Sequence, residues 1–329
     1  MTKKITIILM LSIFIFGCKD DKKNLLMTNV TGKSGEVVLV IDGTQWGNTV
    51  GKEFKNKFLK AYPALPQTEP MFDLVHIPSS AFSKIFKTHR NIVIVKISSK
   101  YKDPKLIIQK NVWSKPQIVL SILASDDSTM ATLIREKGDI IVDRIQKMER
   151  NRLVNNYTKY EEKELKGKLN KKISASIVIP KGYYLATDTS DFVWISKEEP
   201  ELSQGIFIYS YSKDPKVELT TNFLVAKRNE FLKKYVPGQL IGSYMQTETQ
   251  QHEPFTRNIE INKHKVCELR GLWRVENDFM GGPFISSSIV DSTNNRVVCA
   301  DAFVYAPKLH KRDYIRQLEA ILSTFKLKK

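Results

Sequence analysis

Residues suited to ligand recognition are concentrated between positions 270 and 284. An arginine fork matches a carboxylate, and an aromatic face suits the apolar side of a ligand. A Gly-Gly-Pro segment lets the backbone approach a ligand closely, while its proline keeps the chain rigid. The sequence therefore predicts a pocket for a sugar, peptide or carboxylate, formed by Arg270, Trp273, Gly281, Gly282 and Pro283. The alternative is a hairpin connection in which Trp273 fills the core and the arginine pairs with a carboxylate.

A second candidate site combines Glu69, in the proline-rich segment 65–70, with His89. A carboxylate and an imidazole within hydrogen-bond reach form an acid–base pair. This pair, or the carboxylates near Met280, would supply the catalytic groups of a hydrolase. The alternative is an ordinary proline-rich loop with no chemical role.

Other motifs of known chemistry are missing from the sequence. The five histidines, at positions 76, 89, 252, 264 and 310, are never three or four residues apart, so no helix face offers two imidazoles to zinc. No glycine pattern has the spacing of a dinucleotide fingerprint or a phosphate loop. We therefore expect neither a metal nor a cofactor.

Two of the three cysteines, Cys267 and Cys299, lie on strands predicted to be neighbours. A disulfide requires Cα atoms about 4.4–6.8 Å apart. The strand register decides this distance, and the sequence alone does not set the register. A disulfide and two small buried thiols are both open alternatives.

The third cysteine follows an apolar segment near the amino terminus. Lys3 and Lys4 precede a twelve-residue, mostly apolar stretch at 5–16, which is shorter than the about 20 residues needed to cross a bilayer. A short basic region before a short apolar region is typical of a secretory signal. With Gly17 before Cys18, the segment resembles the lipobox of bacterial lipoproteins. That resemblance implies a signal peptide over residues 1–17 and lipidation, including palmitate, at Cys18.

The residues after Cys18 predict where the protein is anchored. Residues 18–35 form a polar tether, and Cys18-Lys19-Asp20-Asp21 resembles the export signal of surface lipoproteins in the Bacteroidota. No later stretch contains 18 uninterrupted apolar residues, so the lipid would be the anchor. These features predict a lipid-anchored outer-membrane protein exposed on the cell surface, with a periplasm-facing orientation as the alternative.

The chain is strongly basic, with 52 Lys+Arg against 35 Asp+Glu and a formal net charge of +17. A nucleic-acid binder concentrates arginine and lysine on one element with interleaved aromatics. Here lysines outnumber arginines and are spread along the whole chain, so no nucleic-acid partner is expected. The charge instead indicates a solvated surface or an attraction to anionic groups of the envelope.

Hydrophobic periodicity predicts an α+β fold with two domains, at 36–170 and 171–329. The first domain is expected to be α/β or α+β and to end in a long polar helix that Gly138 separates from a preceding helix. The second is expected to be an antiparallel sheet with two covering helices on one side. This layout resembles the PsbP/Mog1 superfamily, a resemblance of fold that implies no activity.

Several segments also resemble a family of uncharacterised Bacteroidota lipoproteins that contain a domain of unknown function. The resemblance lies in residues 65–72, 89–92, 235–238, 242–245, 270–273, 280–284 and 303–307. It implies a lipoprotein but no known activity, cofactor or catalytic residue.

Together these features favour a membrane-anchored envelope lipoprotein that is a non-catalytic binding or scaffold protein. Its expected partners are the membrane, through the lipid anchor, and an envelope protein or glycan. The alternative function is an envelope hydrolase or carbohydrate-active enzyme. A pocket with at least two convergent titratable groups would favour the enzyme.

Overall fold

The computed structural model describes residues 27–172, 175–214 and 217–327. The predicted signal peptide, Cys18 and the first half of the predicted tether, up to residue 26, lie outside the described residues. The second half of the predicted tether belongs to the fold, because Thr28 and Asn29 pair with Ser114 and Lys115, and Thr31 N donates to Thr88 O at 2.9 Å. Within those residues, no helix combines the length and apolar character that a membrane crossing requires.

The first domain is built around a mixed sheet. Its strands are Thr28–Asn29 (β1), Glu36–Val40 (β2), Asp73–Ile77 (β3), Asn91–Ile97 (β4), Lys105–Lys110 (β5), Ser114–Lys115 (β6) and Ile118–Ala124 (β7). Its helices are Gly43–Gly47 (α1), Thr49–Phe58 (α2), Lys84–Lys87 (α3) and Asp127–Lys159 (α4), with a 3₁₀ turn at Ser79–Ala81. Five of the described strands pair in the order β3-β2-β4-β7-β5, with only β5 antiparallel to its neighbour.

The central strands of this sheet are runs of branched apolar residues because both faces are covered. Helices α2 and α4 pack on one face, around a core that includes Val37, Phe54 and Ile134. The other face carries Val38 and Ile92 under the partly buried side chains of the 3₁₀ turn, α3 and the loop before β6. The first domain is therefore α/β.

Helix α4 runs without interruption through Gly138, so the prediction of two separate helices is wrong. A Cβ atom at Gly138 would lie 2.7 Å from Cγ of Lys57 on α2. The glycine thus allows α2 and α4 to approach each other closely instead of ending a helix. At the start of α4, the carboxylate of Asp126 accepts a hydrogen bond from Thr129 N at 2.9 Å and caps the helix.

The second domain contains a large antiparallel sheet. Its elements are Lys163–Lys172 (α5), Ala175–Ser176 (β8), Tyr184–Asp188 (β9), Phe192–Glu199 (β10), Leu202–Ser212 (β11), Thr221–Tyr235 (α6), Met245–Glu248 (β12), Phe255–Ile261 (β13), His264–Val275 (β14), Gly281–Asp291 (β15), Arg296–Tyr305 (β16), Arg312–Leu322 (α7) and Lys326–Leu327 (β17). The described strands pair in the order β12-β14-β15-β16-β11-β10-β9, with β13 also beside β14. Strands β17 and β8 form a separate pair.

Helices cover both faces of this sheet. Leu165 and Leu169 of α5 and Leu318 of α7 belong to the core on one face. Leu224 and Phe231 of α6 belong to the core on the other face. The prediction of an antiparallel sheet covered by helices is confirmed, but the helices do not lie on one side only, because successive residues of every central strand alternate between two apolar faces.

The boundary between the two cores lies earlier than predicted. Helix α4 ends at Lys159, and α5 already packs its leucines into the second core. The predicted polar helix to residue 168 covers the later part of α4 and the start of α5, and the sequence does not indicate the break between them.

The domains are joined through the amino terminus of α7. The carboxylate of Glu69, in the first domain, accepts hydrogen bonds from the backbone N–H groups of Lys311 at 2.6 Å and Arg312 at 3.1 Å. The first N–H groups of a helix have no partner within the helix, and the side chain of Lys311 does not cap α7. Arg312 also forms a bidentate ion pair with Asp73. The first domain therefore caps the final described helix of the second.

Candidate functional site

A polar cleft lies where the two domains meet. One face of α4 forms its first wall, and β13, β14 and α7 form the second. Its narrower part has a volume of about 340 Å³, and a wider part of about 580 Å³ adjoins it. The two parts share six lining residues, namely Asp143, Gln146, Arg150, Arg257, Arg270 and Glu319. Both volumes lie within the range of small-ligand sites, about 300–1,000 Å³.

A row of charged groups forms the floor of the cleft. Arg270 Nε lies 2.7 Å from Glu268 Oε1, and its Nη1 lies 2.6 Å from Glu319 Oε1. Arg257 pairs with the same Glu268 oxygen at 2.5 Å. From the first domain, the Tyr62 hydroxyl donates a hydrogen bond to Glu319 at 2.5 Å. The row thus links β13, β14, α7 and the first domain.

These groups are held in fixed charge states. Burial alone would lower the pKa of Arg270, but Glu319 and Glu268 raise it well above its usual value. Burial alone would raise the pKa of Glu319, but Arg270 and the Tyr62 hydroxyl lower it. Burial and Glu319 together raise the pKa of Tyr62. A general acid or base works best with a pKa near the operating pH, and all three shifts lead away from neutrality.

Other polar groups of the cleft are available to a ligand. Ser287 of β15 is 1% exposed, and its hydroxyl has no hydrogen-bond partner among the described residues. It lines the wider part of the cleft on the same sheet face as Glu268, which is its cross-strand neighbour. Asp143, Lys147 and Arg150 of α4 are exposed along the opposite wall. The cleft therefore has a buried hydroxyl on its sheet side and charges of both signs on its α4 side.

Arg270 and Trp273 do not form the predicted pocket together. Both lie on β14, three residues apart, and side chains three apart on a strand point to opposite faces. Arg270 is in the interdomain cleft, while Trp273 belongs to the core under α6. The Trp273 indole donates a hydrogen bond to Val304 O at 3.1 Å. The alternative, in which the tryptophan fills the core and the arginine pairs with a carboxylate, describes the structure.

Gly281, Gly282 and Pro283 form the start of β15 instead of a turn. Gly281 pairs with Arg274, Gly282 with Trp273, and Pro283 with Leu272. A Cβ atom at Gly282 would lie 2.1 Å from Val304 O. The glycine therefore makes room for neighbouring backbone in the sheet and does not open a surface to a ligand.

Glu69 and His89 have different partners. Glu69 caps α7, as described above. The His89 ring is buried, with Nε2 2.5 Å from Glu36 Oε1, and packs against Gly32, where a Cβ atom would lie 2.1 Å from Nε2. Glu69 and His89 therefore do not form the predicted acid–base pair. Glu69 ties its loop to the second domain, and His89 fixes a loop of the first domain.

Cys267 and Cys299 are free buried thiols. Both are paired with Ser288 of β15, which lies between their strands. Two strand spacings of about 4.8 Å separate them, beyond the reach of a disulfide. The disulfide alternative is therefore wrong. The strands of the two cysteines were predicted to be neighbours, but β15 runs between them.

Sequence reasoning did not find most of the residues of the cleft. Tyr62 and Glu319 are 257 positions apart, and Arg150 and Ser287 come from different domains. No spacing rule connects such residues. The one available signal is the pair of charged residues Glu268 and Arg270 inside the otherwise uncharged stretch 266–273 of β14.

Comparisons with known proteins identify two domains of unknown function. Residues 161–324 match the model of the domain of unknown function DUF4837, and residues 30–158 match that of DUF8532. The two matches meet where α4 ends. No curated protein matches the chain.

Similar solved structures have low identity to this chain. LpqN of Mycobacterium tuberculosis, described as involved in cell envelope biogenesis, is 10% identical, with 47% of this chain and 83% of LpqN covered and a TM-score of 0.30. The Ran-binding protein Mog1p of Saccharomyces cerevisiae is 11% identical, with 47% and 90% covered and a TM-score of 0.32. Protein PA94 of Pseudomonas aeruginosa, of unknown function, is 14% identical, with 44% and 87% covered and a TM-score of 0.24.

Proposed function

We propose that this protein is a lipid-anchored envelope lipoprotein of the Bacteroidota type that binds a charged envelope glycan, without catalysis, in the cleft between its domains. The interdomain cleft carries the binding part of the proposal. Its buried, unpartnered Ser287 hydroxyl and its charges of both signs suit a sugar that bears carboxylate and amino groups.

The pKa shifts at the floor favour binding over hydrolysis. Several titratable groups converge there, as an enzyme would require. However, the charges of Arg270 and Glu319 offset each other, the Tyr62 hydroxyl stays protonated, and the pKa shifts of all three groups lead away from neutral pH. Such groups hold a rigid, polar floor and bind a ligand by hydrogen bonds and charge.

The anchor is supported by the sequence around Cys18. Two lysines, a short apolar stretch and Gly17-Cys18 match a lipoprotein signal, and the tether that follows is polar. Acyl chains contribute about 0.8 kcal/mol per buried methylene, so two or three chains anchor a protein stably.

Metabolic labelling with an alkyne palmitate tests the anchor. The wild-type chain should take up the label, and Cys18→Ser should abolish it. Cys267→Ala is the matched control and should be labelled like the wild type. Labelling that persists in Cys18→Ser would refute lipidation at this residue.

Calorimetric titration of the full chain with a muropeptide mixture tests the ligand. Ser287→Ala should weaken binding about two- to twelvefold, which corresponds to the loss of one hydrogen bond of about 0.5–1.5 kcal/mol. Ser288→Ala, on the opposite face of the same strand, is the matched control and should bind like the wild type. Arg150→Ala should also weaken binding, whereas Arg144→Ala, on α4 but outside the cleft lining, should not.

Two results would refute the binding proposal. One is the absence of any binding heat with muropeptides and with envelope oligosaccharides. The other is binding that Ser287→Ala and Arg150→Ala leave unchanged, because the ligand site would then lie elsewhere.

A further inference from the structure

Two neighbouring loops of the second domain expose large apolar side chains at their tips. The loop between α6 and β12 carries Leu240 and Ile241, which are 56% and 108% exposed. The loop between β14 and β15 carries Phe279, which is 107% exposed. Scattered apolar residues on a surface are ordinary. Here three project from two loops that leave the sheet side by side, and these three side chains, called the apolar patch below, need an explanation.

Hydrogen bonds hold the two loops side by side. Met245 pairs with Val275 at the base, and Glu276 N donates to Tyr244 O at 2.9 Å. The tips are therefore at one end of the sheet, next to the same β12–β14 edge.

Each loop is also closed internally, so that its tip is fixed. In the first, Gly238 N donates to Ser243 O at 2.9 Å and Ser243 N to Leu240 O at 3.0 Å. In the second, Val275 N donates to Met280 O at 3.0 Å. Closed turns hold the apolar side chains outward and lower the entropy that an ordering contact would cost.

Aromatic and cationic residues surround the base of the patch. Lys233, at the end of α6, is exposed, and its Nζ lies 5.1 Å from the centre of the Tyr244 ring. Lys234 lies 4.5 Å from the ring of Tyr235. Two acidic residues lie in the second loop: Glu276 is paired with Arg274 at 2.9 Å, and the carboxylate of Asp278 accepts a hydrogen bond from Phe279 N at 2.6 Å. Exposed apolar side chains next to tyrosine and lysine residues are typical of protein segments that bind at the membrane–water interface.

We propose that Leu240, Ile241 and Phe279 insert into the surface of the membrane that carries the lipid anchor. This inference rests on the anchor at Cys18 proposed above. The chain from Cys18 to Thr28 spans ten residues, or at most about 35 Å, so the folded part stays close to the bilayer. At such a high effective concentration, three side chains are enough to orient the protein.

The size of the patch favours a bilayer over a protein partner. A stable protein interface buries about 800 Å² per partner. Even at about 250 Å² each, the largest value for a buried aromatic, three side chains would supply less. Without Lys3 and Lys4 of the predicted signal peptide the formal net charge is +15, from 50 Lys+Arg against 35 Asp+Glu. This charge also favours a surface of anionic lipid headgroups over a typical protein surface.

A fluorescent probe at each tip tests the insertion. The full lipidated chain is reconstituted on vesicles of phosphatidylethanolamine and phosphatidylglycerol, with an environment-sensitive dye on Ile241→Cys or Phe279→Cys. The matched control is Ile85→Cys, an exposed isoleucine of the first domain. On vesicles, the dye at 241 and 279 should shift its emission to the blue and lose most of its quenching by iodide, while the dye at 85 should not change.

The anchor and the insertion fail in different ways. A protein that does not float with the vesicles refutes the anchor, and the inference that rests on it. If the protein floats with the vesicles but iodide still quenches the dyes at positions 241 and 279, the insertion proposal is wrong and the anchor proposal stands. Protection that appears without vesicles and grows with protein concentration also overturns it, because the occupant is then a second copy of the chain.

A loop variant gives a second measurement on the same chain. Replacement of all three residues by serine should speed transfer of the lipidated protein between vesicles by at least about tenfold, because part of the apolar area buried in the bilayer is lost. Ile85→Ser should transfer like the wild type. Equal transfer rates for the triple variant and the wild type would overturn the proposal.

Discussion

Replacement of Glu69 tests the idea that this residue is a structural cap for a helix of the other domain. In Glu69→Gln one of the two N–H groups at the start of α7 keeps an oxygen acceptor, and the other faces the new amide N–H₂. A hydrogen bond to a charged group contributes about 1.5–3 kcal/mol, and a carboxylate near a helix amino terminus adds a favourable interaction with the dipole. We therefore expect Glu69→Gln to lower the free energy of unfolding by about 2 kcal/mol. Glu69→Ala removes both hydrogen bonds and should cost more, about 3–5 kcal/mol.

Urea unfolding followed by far-ultraviolet circular dichroism measures this loss. The matched control is Glu53→Gln, which removes a carboxylate from the exposed ion pair with Arg135 and should cost at most about 1 kcal/mol. Because Glu69 joins two domains, its loss should also reduce the cooperativity between them and split or broaden the transition. Glu69→Gln with the stability of the wild type and an unchanged transition would refute the capping role.

Three further perturbations follow from the described contacts. Gly282→Ala should lower the melting temperature by several degrees, because its Cβ atom would lie 2.1 Å from Val304 O. Gly47→Ala is the control and should be tolerated, since nothing lies within 4 Å of the new atom. Equal melting temperatures for the two variants would contradict the packing argument. Hydrogen bonds from Ser125 and Thr129 lower the pKa of Asp126 to about 2, so this cap stabilises the fold above pH 4 and its contribution is lost as the pH falls toward 2. Asp126→Ala should therefore reduce the loss of unfolding free energy between pH 4 and pH 2. An unchanged pH dependence in this range would refute the assignment. Burial raises the pKa of Cys299 to about 12, so a thiol reagent at pH 8 should modify this residue only after unfolding, and rapid modification of the native protein would contradict its burial.

Local patterns in the sequence predict much of the fold. The branched run at 36–40 and the similar run at 91–97 are the central strands of the first sheet, where burial on both faces requires such residues. The central strands of the second domain are also continuous buried runs, because helices cover both faces of that sheet. The alternation of side chains along a strand, applied to Arg270 and Trp273, predicts that they lie on opposite faces of β14.

The candidate site is harder to predict because its contacts are long-range. The cap that Glu69 gives to α7 joins residues 242 positions apart, and nothing near Glu69 indicates its partner. Gly138 shows a similar limit, since a glycine that ends a helix and one that lets two helices approach look the same in sequence. Which of the two applies depends on Lys57, a residue of another helix.

The position of α7 also has a consequence for the order in which the chain is completed. Protein chains emerge amino terminus first, and domains fold in that order. Glu69 and Asp73, which receive α7, precede it by more than two hundred positions, and the sheet face that it covers is made before it. Until residues 312–322 arrive, the apolar side chains beneath α7 have no cover, although α5 already covers another part of that face, and the two domains have no shared cap. A protein cut short before Arg312 would therefore keep most of its described strands and still be a preferred substrate for proteases. With α7 present, a single helix removes both defects.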